Sequence, residues 1–257
     1  MPPHRVLILG GTTEARELGL ALRDRAELDV ELSLAGRTRQ IPDQPVRVRV
    51  GGFGGTEGLA AYLRQGPVSA IVDATHPFAA VISSHAKDAA ERAGVPFLAL
   101  RRAPWAPTAG DAWTPVASVP EAVRALGALP RRVFLALGRQ EAAVAESAPE
   151  HFYLIRSVDP IDPPLALRRA EYVLDRGPFR EEAELELLQG HRIDCVVSRN
   201  SGGDAAYGKI AAARKLGLPV LMVQRPELPE APSAQSVPDA VRWIDHVVVR
   251  GSAERGV

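Results

Sequence analysis

Val6-Leu7-Ile8-Leu9 followed by Gly10-Gly11 constrains this chain more than any other stretch. Four consecutive apolar residues suit a strand buried on both faces, as in a parallel sheet covered by helices. The glycines end the run. Thr12 or Thr13 can then cap an amphipathic helix, with Glu14 and Glu17 where its dipole favours acids. Glycine lets a ligand approach the backbone, and the N–H groups of a helix start favour a phosphate. Gly10-Gly11-Thr12-Thr13-Glu14-Ala15 is not the G-x-G-x-x-G fingerprint, so this turn alone leaves two readings open, a dinucleotide site and a plain tight turn.

The next segments repeat the alternation of strand and helix. Val30 to Leu34 reads as a second strand ending in Ala35-Gly36-Arg37-Thr38-Arg39. In a dinucleotide fold this point meets the adenosine ribose, and an acid there would hold a free 2′-hydroxyl. Here Gly36, Arg37 and Thr38 come with a second arginine and no acid before Asp43, which favours NADP over NAD; a solvated basic turn is the bland alternative. Val46 to Val50 alternates Val and Arg as a half-exposed strand. Gly51-Gly52-Phe53-Gly54-Gly55 follows, a loop that is either flexible or pressed against a ligand, with Gly52 a candidate cofactor contact. Ser69 to Asp73 is a further strand. Asp73, Thr75 and His76 stand at its carboxyl end, where open α/β sheets bind ligands.

Residues 103–120 hold Pro104, Pro107, Pro115 and Pro120. They read as the start of a crossover, 103–130, between an N-terminal domain, 1–102, and a C-terminal one, 131–257. Val133 to Arg139 restarts the strand-glycine-helix pattern. Glu181 to Leu188 reads as an acidic helix with a solvated face. Asp194 to Gly203 leads through Asn200-Ser201-Gly202-Gly203 into a helix, and the frame Ala-Ala-x-x-x-Gly-x-Pro recurs at Ala89–Pro96 and Ala212–Pro219. The fold expected is α/β, two Rossmann-like domains with mainly parallel sheets facing across a cleft, the last helix packing on the second sheet.

Composition narrows the function. The formal net charge is zero, which argues against a nucleic-acid partner but not against a small anion. No run approaches the ~20 apolar residues of a membrane span, and the start carries no signal-peptide pattern. The single Cys195 excludes an internal disulfide, so a reducing, cytoplasmic location is expected. The six histidines show no metal-ligand spacing.

The sequence resembles the precorrin-6A reductase family of cobalamin biosynthesis. The resemblance rests on Ile8-Leu9-Gly10-Gly11-Thr12-Thr13-Glu14, Val72-Asp73-Ala74-Thr75-His76-Pro77-Phe78-Ala79, Leu137-Gly138-Arg139, and Asn200-Ser201-Gly202-Gly203 with Lys209 behind it. It implies an NADPH-dependent enzyme adding hydride to a carbon–carbon double-bond system of a tetrapyrrole, precorrin-6A, to give precorrin-6B. On that footing Asp73, Ala74, Thr75 and Pro77 join the first turn as cofactor contacts, and Asn200 to Gly203 serve the substrate. A polycarboxylate macrocycle needs cations, and Arg102, Arg139, Arg156 and Arg225 sit near predicted strand ends. Lys209 is a candidate for charge stabilisation beside the ring that accepts hydride, with a helix-surface lysine as the alternative. The proton source stays open between Lys209, His76 and water.

Two rivals remain. A short-chain dehydrogenase wants Tyr and Lys four apart on one helix face, whereas Tyr207 and Lys209 are two apart. A non-catalytic NADP-binding regulator would need the first turn but no second polar site. The basic turn supplies a test of cofactor choice. Arg37→Asp is expected to raise the KM for NADPH far more than that for NADH, because a charged contact to the 2′-phosphate is worth roughly 1.5–3 kcal/mol. Unchanged preference for NADPH contradicts it.

Overall fold

A computed structural model describes residues 2–36 and 43–250; the side chains of residues 139, 140, 249 and 250 lie outside that description. The chain divides into two units, Met1–Ala103 with Glu227–Val257, and Pro104–Pro226. The first runs β1 (His4–Leu9), α1 (Thr13–Leu22), β2 (Leu28–Leu34), β3 (Arg47–Val50), α2 (Gly55–Gln65), β4 (Val68–Asp73), α3 (Ala80–Ala93) and β5 (Phe97–Leu100). The second runs β6 (Ala112–Val116), α4 (Val119–Ala125), β7 (Arg132–Ala136), α5 (Arg139–Ala142), β8 (Phe152–Ser157), β9 (Ala170–Leu174), α6 (Glu181–Gly190), β10 (Cys195–Arg199), α7 (Gly208–Lys215) and β11 (Pro219–Val223). The chain then returns to the first unit with β12 (Ser233–Ala234) and α8 (Val237–Ile244).

Each unit holds one six-stranded sheet, ordered β12-β5-β4-β1-β2-β3 and β6-β11-β10-β7-β8-β9. Every strand pairing in both is parallel. The apolar run of β1 sits in the middle of its sheet, and its alternate residues feed two cores. Val6 and Ile8 pack with Leu18 and Leu22 of α1 and Ala240 and Ile244 of α8. Leu7 and Leu9 pack with Leu59 and Leu63 of α2 and Ala86 and Ala90 of α3. Ala15, Leu18, Gly19 and Leu22 are the buried stripe of α1, at helical spacing.

Two expectations are corrected. The segment 103–130 is not a bare crossover, because β6 and α4 belong to the second unit, β6 pairing with β11 in register from Ala112↔Pro219 to Val116↔Val223. Pro115 is tolerated there because β6 is an edge strand. The C-terminal segment belongs to the first unit, not the second. β12 pairs with β5, α8 buries Ala240 and Ile244 against the α1 side, and Arg25 Nη1 meets Asp245 Oδ1 at 2.5 Å. Each sheet thus receives its sixth strand from beyond the other half's fifth. The two exchanged pieces match in sequence. Ser118-Val119-Pro120-Glu121-Ala122-Val123-Arg124 returns as Ser236-Val237-Pro238-Asp239-Ala240-Val241-Arg242, and in each the serine hydroxyl accepts from the backbone N–H three residues on.

The second unit carries one buried titratable group with a readable consequence. His151 is 1% exposed, and its Nδ1 accepts from the Arg131 N–H at 3.2 Å. Burial pushes the imidazole below its usual value, against the opposing effect of Glu150. The unfolded chain takes up this proton near pH ~6.5 and the folded chain only at lower pH. Below about pH 6.5 the unfolded state therefore binds more protons, and stability falls as pH falls. Urea midpoints between about pH 7.5 and about pH 5 are expected to drop, less steeply in His151→Gln. An equal slope in the two proteins contradicts the assignment.

Candidate functional site

In the first unit the site is built where β1 and β4 lie side by side and the chain leaves both at their carboxyl ends. Gly10 is fixed by packing, since a Cβ there would stand 2.4 Å from Leu32 Cδ1. Gly11 is different: its φ is +114° and a Cβ would meet nothing within 4 Å. The backbone therefore turns in a way that favours glycine while leaving open space in front of it. Thr12 caps α1, its hydroxyl oxygen accepting from Ala15 N–H at 3.2 Å and donating to Ala74 C=O at 2.7 Å. That second bond ties the β1–α1 turn to the turn after β4. There Asp73, 3% exposed, accepts from Thr75 N–H at 3.1 Å and from Thr75 Oγ1 at 2.7 Å. Pro77 is buried, and His76 is half-buried, its Nδ1 accepting from Phe78 N–H at 3.3 Å. A neutral His76 thus carries its proton on Nε2.

The strand ends beyond β1 add a second loop. Gly51 N–H donates to Leu34 C=O at 2.9 Å, fastening the end of β3 to the end of β2. Gly36 has φ +69°, and a Cβ there would press on Val50 Cγ1 at 3.1 Å. Gly52 has neither a neighbour within 4 Å of a would-be Cβ nor a left-handed φ. Its carbonyl is held by Arg49 Nη2 at 2.8 Å, and Gly51 C=O by Arg49 Nη1 at 2.6 Å, with the guanidinium 3.8 Å from the Phe53 ring centroid. Arg49 went unassigned in the sequence. The available signal was a half-exposed arginine two residues before a glycine run. Arg37 and Thr38 lie outside the described residues.

In the second unit the turn after β10 is held from three sides. Asn200, 6% exposed, accepts from Trp105 N–H at 2.8 Å and donates to Trp105 C=O at 2.9 Å. The indole N–H of Trp105 donates to Gly203 C=O at 2.9 Å. Arg225 donates to Asn200 C=O at 2.9 Å and to Ser201 C=O at 3.0 Å. Gly202 and Gly203 both take left-handed φ, +69° and +71°. Lys209 Nζ donates to Ala206 C=O at 2.6 Å and lies 5.0 Å from the Trp105 ring centroid. Burial, then Arg156 and Arg199, push this ammonium down to about 7, against Glu184.

A model of one protein family, described as precorrin-6x reductase CbiJ/CobK, matches residues 5–245. The chain belongs to the precorrin-6x reductase family. This chain is 54% identical over 246 residues to the precorrin-6A reductase of Sinorhizobium sp, covering 96% of this chain and 94% of that one. It is 45% identical over 254 residues to that of Rhodobacter capsulatus, covering 98% and 99%. A solved structure titled CobK precorrin-6A reductase superposes with a TM-score of 0.92 at 44% identity, covering 95% of this chain and 97% of that chain. The chain is therefore an oxidoreductase of the cobalamin pathway acting on a carbon–carbon double bond. That sets aside the regulator reading.

Lys209 is the second residue of α7 and 4% exposed, so the helix-surface alternative does not hold. Two sequence expectations are corrected. Arg156 stands next to the end of β8, as expected, but it is not an open clamp. It is buried within β8, paired with Glu184, and its guanidinium carbon lies 3.6 Å from the Phe179 ring centroid. Glu184 in turn is 3% exposed, so α6 does not present only a solvated acidic face. Arg102 pairs with Glu14, and the side chain of Arg139 lies outside the description. Asn200→Asp removes the donor to Trp105 C=O and buries a charge in its place. It is expected to lower stability by about 1–3 kcal/mol in urea unfolding, and parental stability would show that the amide is dispensable.

Proposed function

We propose that the chain reduces precorrin-6A to precorrin-6B with NADPH, the cofactor seated on the first unit at the ends of β1 to β4. The observation that carries this reading is the Gly11 turn, left-handed and open, directly ahead of a capped ten-residue helix. The residues fit the cofactor in order. Gly10 lets α1 close on the sheet, and Gly11 to Thr13 offer backbone N–H groups to a diphosphate. The Gly36 and Gly52 loops flank the adenosine side, where Arg37 would meet a 2′-phosphate. Asp73 to Pro77 lie at the end of β4, toward the nicotinamide half of such a site.

NADPH bound there supplies a hydride to the conjugated macrocycle, and one proton completes the reduction of the double bond. In this reading the proton comes from His76, which follows β4 and whose Nδ1 accepts from Phe78 N–H. Lys209 serves a different end. Its Nζ donates to Ala206 C=O beneath Trp105, so it holds the loop 200–206. Asn200 and Arg225 fix the same loop from its other sides, so that the Gly202-Gly203 turn is held in place for a tetrapyrrole. The small-molecule partner is precorrin-6A. Among the described residues no helix is long and apolar enough to cross a membrane. A cytoplasmic location is part of the proposal.

Gly11→Val tests the reading. A branched side chain would fill the open space and strain the backbone at φ +114°. NADPH binding by calorimetry is expected to weaken at least about tenfold, given one lost diphosphate contact. Affinity equal to the parent's would remove the cofactor from this turn.

A further inference from the structure

Glu14 and Arg102 reach one point from different elements of the first unit. Glu14 is the second residue of α1, and Arg102 lies two residues past β5. Arg102 Nη1 donates to Glu14 Oε2 at 2.5 Å, with the side chains 17% and 21% exposed. A carboxylate in the first turn favours the helix by itself, because it faces the positive end of the dipole. The same carboxylate opposes a diphosphate at the same N–H groups, since like charges a few ångström apart repel strongly in a partly desolvated site.

Resting on the reading that the β1–α1 turn takes the cofactor's diphosphate, we propose that Arg102 is a positioning residue for the cofactor. It neutralises Glu14 so that the diphosphate can sit beside that acid, and it is not a clamp for a macrocycle carboxylate. Arginine suits the task because its guanidinium stays charged at any working pH and directs its N–H groups in a fixed plane. The assignment also explains why an acid stands in the first turn of a helix that must receive an anion. The pair is neutral as a unit, so the acid costs the ligand little while Arg102 is in place.

The test is a double-mutant cycle read by cofactor binding. Arg102→Met leaves the Glu14 charge uncompensated. It is expected to weaken NADPH and NADH by a similar factor, roughly tenfold at low salt, because the two share the diphosphate. Glu14→Gln is expected to bind NADPH at least as tightly as the parent. The double variant Glu14→Gln with Arg102→Met is expected to return to within about threefold of the parent, with the coupling shrinking as salt is raised. Dissociation constants come from calorimetry, with thermal unfolding alongside to show that each variant is folded.

Unchanged NADPH affinity in Arg102→Met, with a raised KM for the tetrapyrrole, overturns the proposal and makes Arg102 a substrate contact. A weakened Arg102→Met that the second substitution does not recover also overturns it, because Arg102 would then touch the cofactor itself. Weaker binding by Glu14→Gln alone would show Glu14 to be a direct ligand, against the proposal. Gly11→Val separates this from the underlying reading: parental affinity there takes the diphosphate out of the turn, whereas weak binding by Gly11→Val beside an unaffected Arg102→Met rejects the role of Arg102 alone.

Discussion

A strand with no exposed face is the constraint on which the first unit depends. Val6 to Leu9 are at most 2% exposed, so helices must cover the sheet on both sides and strands must flank β1 on both edges. With β2 on one side and β4 on the other, the chain leaves β1 at the point where strand order reverses. Loops after β1 and β4 are driven apart there onto opposite faces, and the opening between their ends is where such sheets take ligands. The Thr12 hydroxyl, bridging its own helix start to Ala74 C=O, fixes how far the two loops separate. The second unit repeats the constraint with β7, whose Val133, Phe134 and Leu135 are fully buried between β8 and β10.

Where the sequence was legible, the reason is local. The β1–α1 turn, the Asp73 to Pro77 turn and the echo at Gly94 and Gly217, both left-handed in the structure, depend on neighbours in the chain. The exchanged sixth strands were not legible. β12 is two residues long, β6 contains Pro115 and is mostly exposed, and neither carries the apolar run by which β1 announces itself. The repeated Ser-Val-Pro cap was the signal available, and it marks the helices rather than the strands they follow.

Charges show the same limit more sharply. A sequence displays arginines but not their partners, and those are chosen by tertiary structure. Arg156 and Glu184 are 28 residues apart, and Arg102 and Glu14 are 88. Read as free cations, they suited a polycarboxylate; paired, they organise the protein. Burying Arg156 without Glu184 would be costly, and the flanking Phe134 and Phe179 rings stabilise the guanidinium that the pair keeps indoors. Lys209 follows the same logic, its ammonium capped by a carbonyl and an indole face. The loop at the Asn200 turn is therefore held by a preorganised interior, in one geometry before any ligand arrives.

The central claim is that this chain transfers hydride from NADPH to precorrin-6A. It is tested most directly by mixing the purified protein anaerobically with both compounds and following NADPH absorbance together with the mass of the tetrapyrrole. The account predicts loss of NADPH in step with a product heavier by two hydrogens, the added hydride and proton. No consumption of NADPH at saturating concentrations of both, or consumption without that mass change, would contradict it.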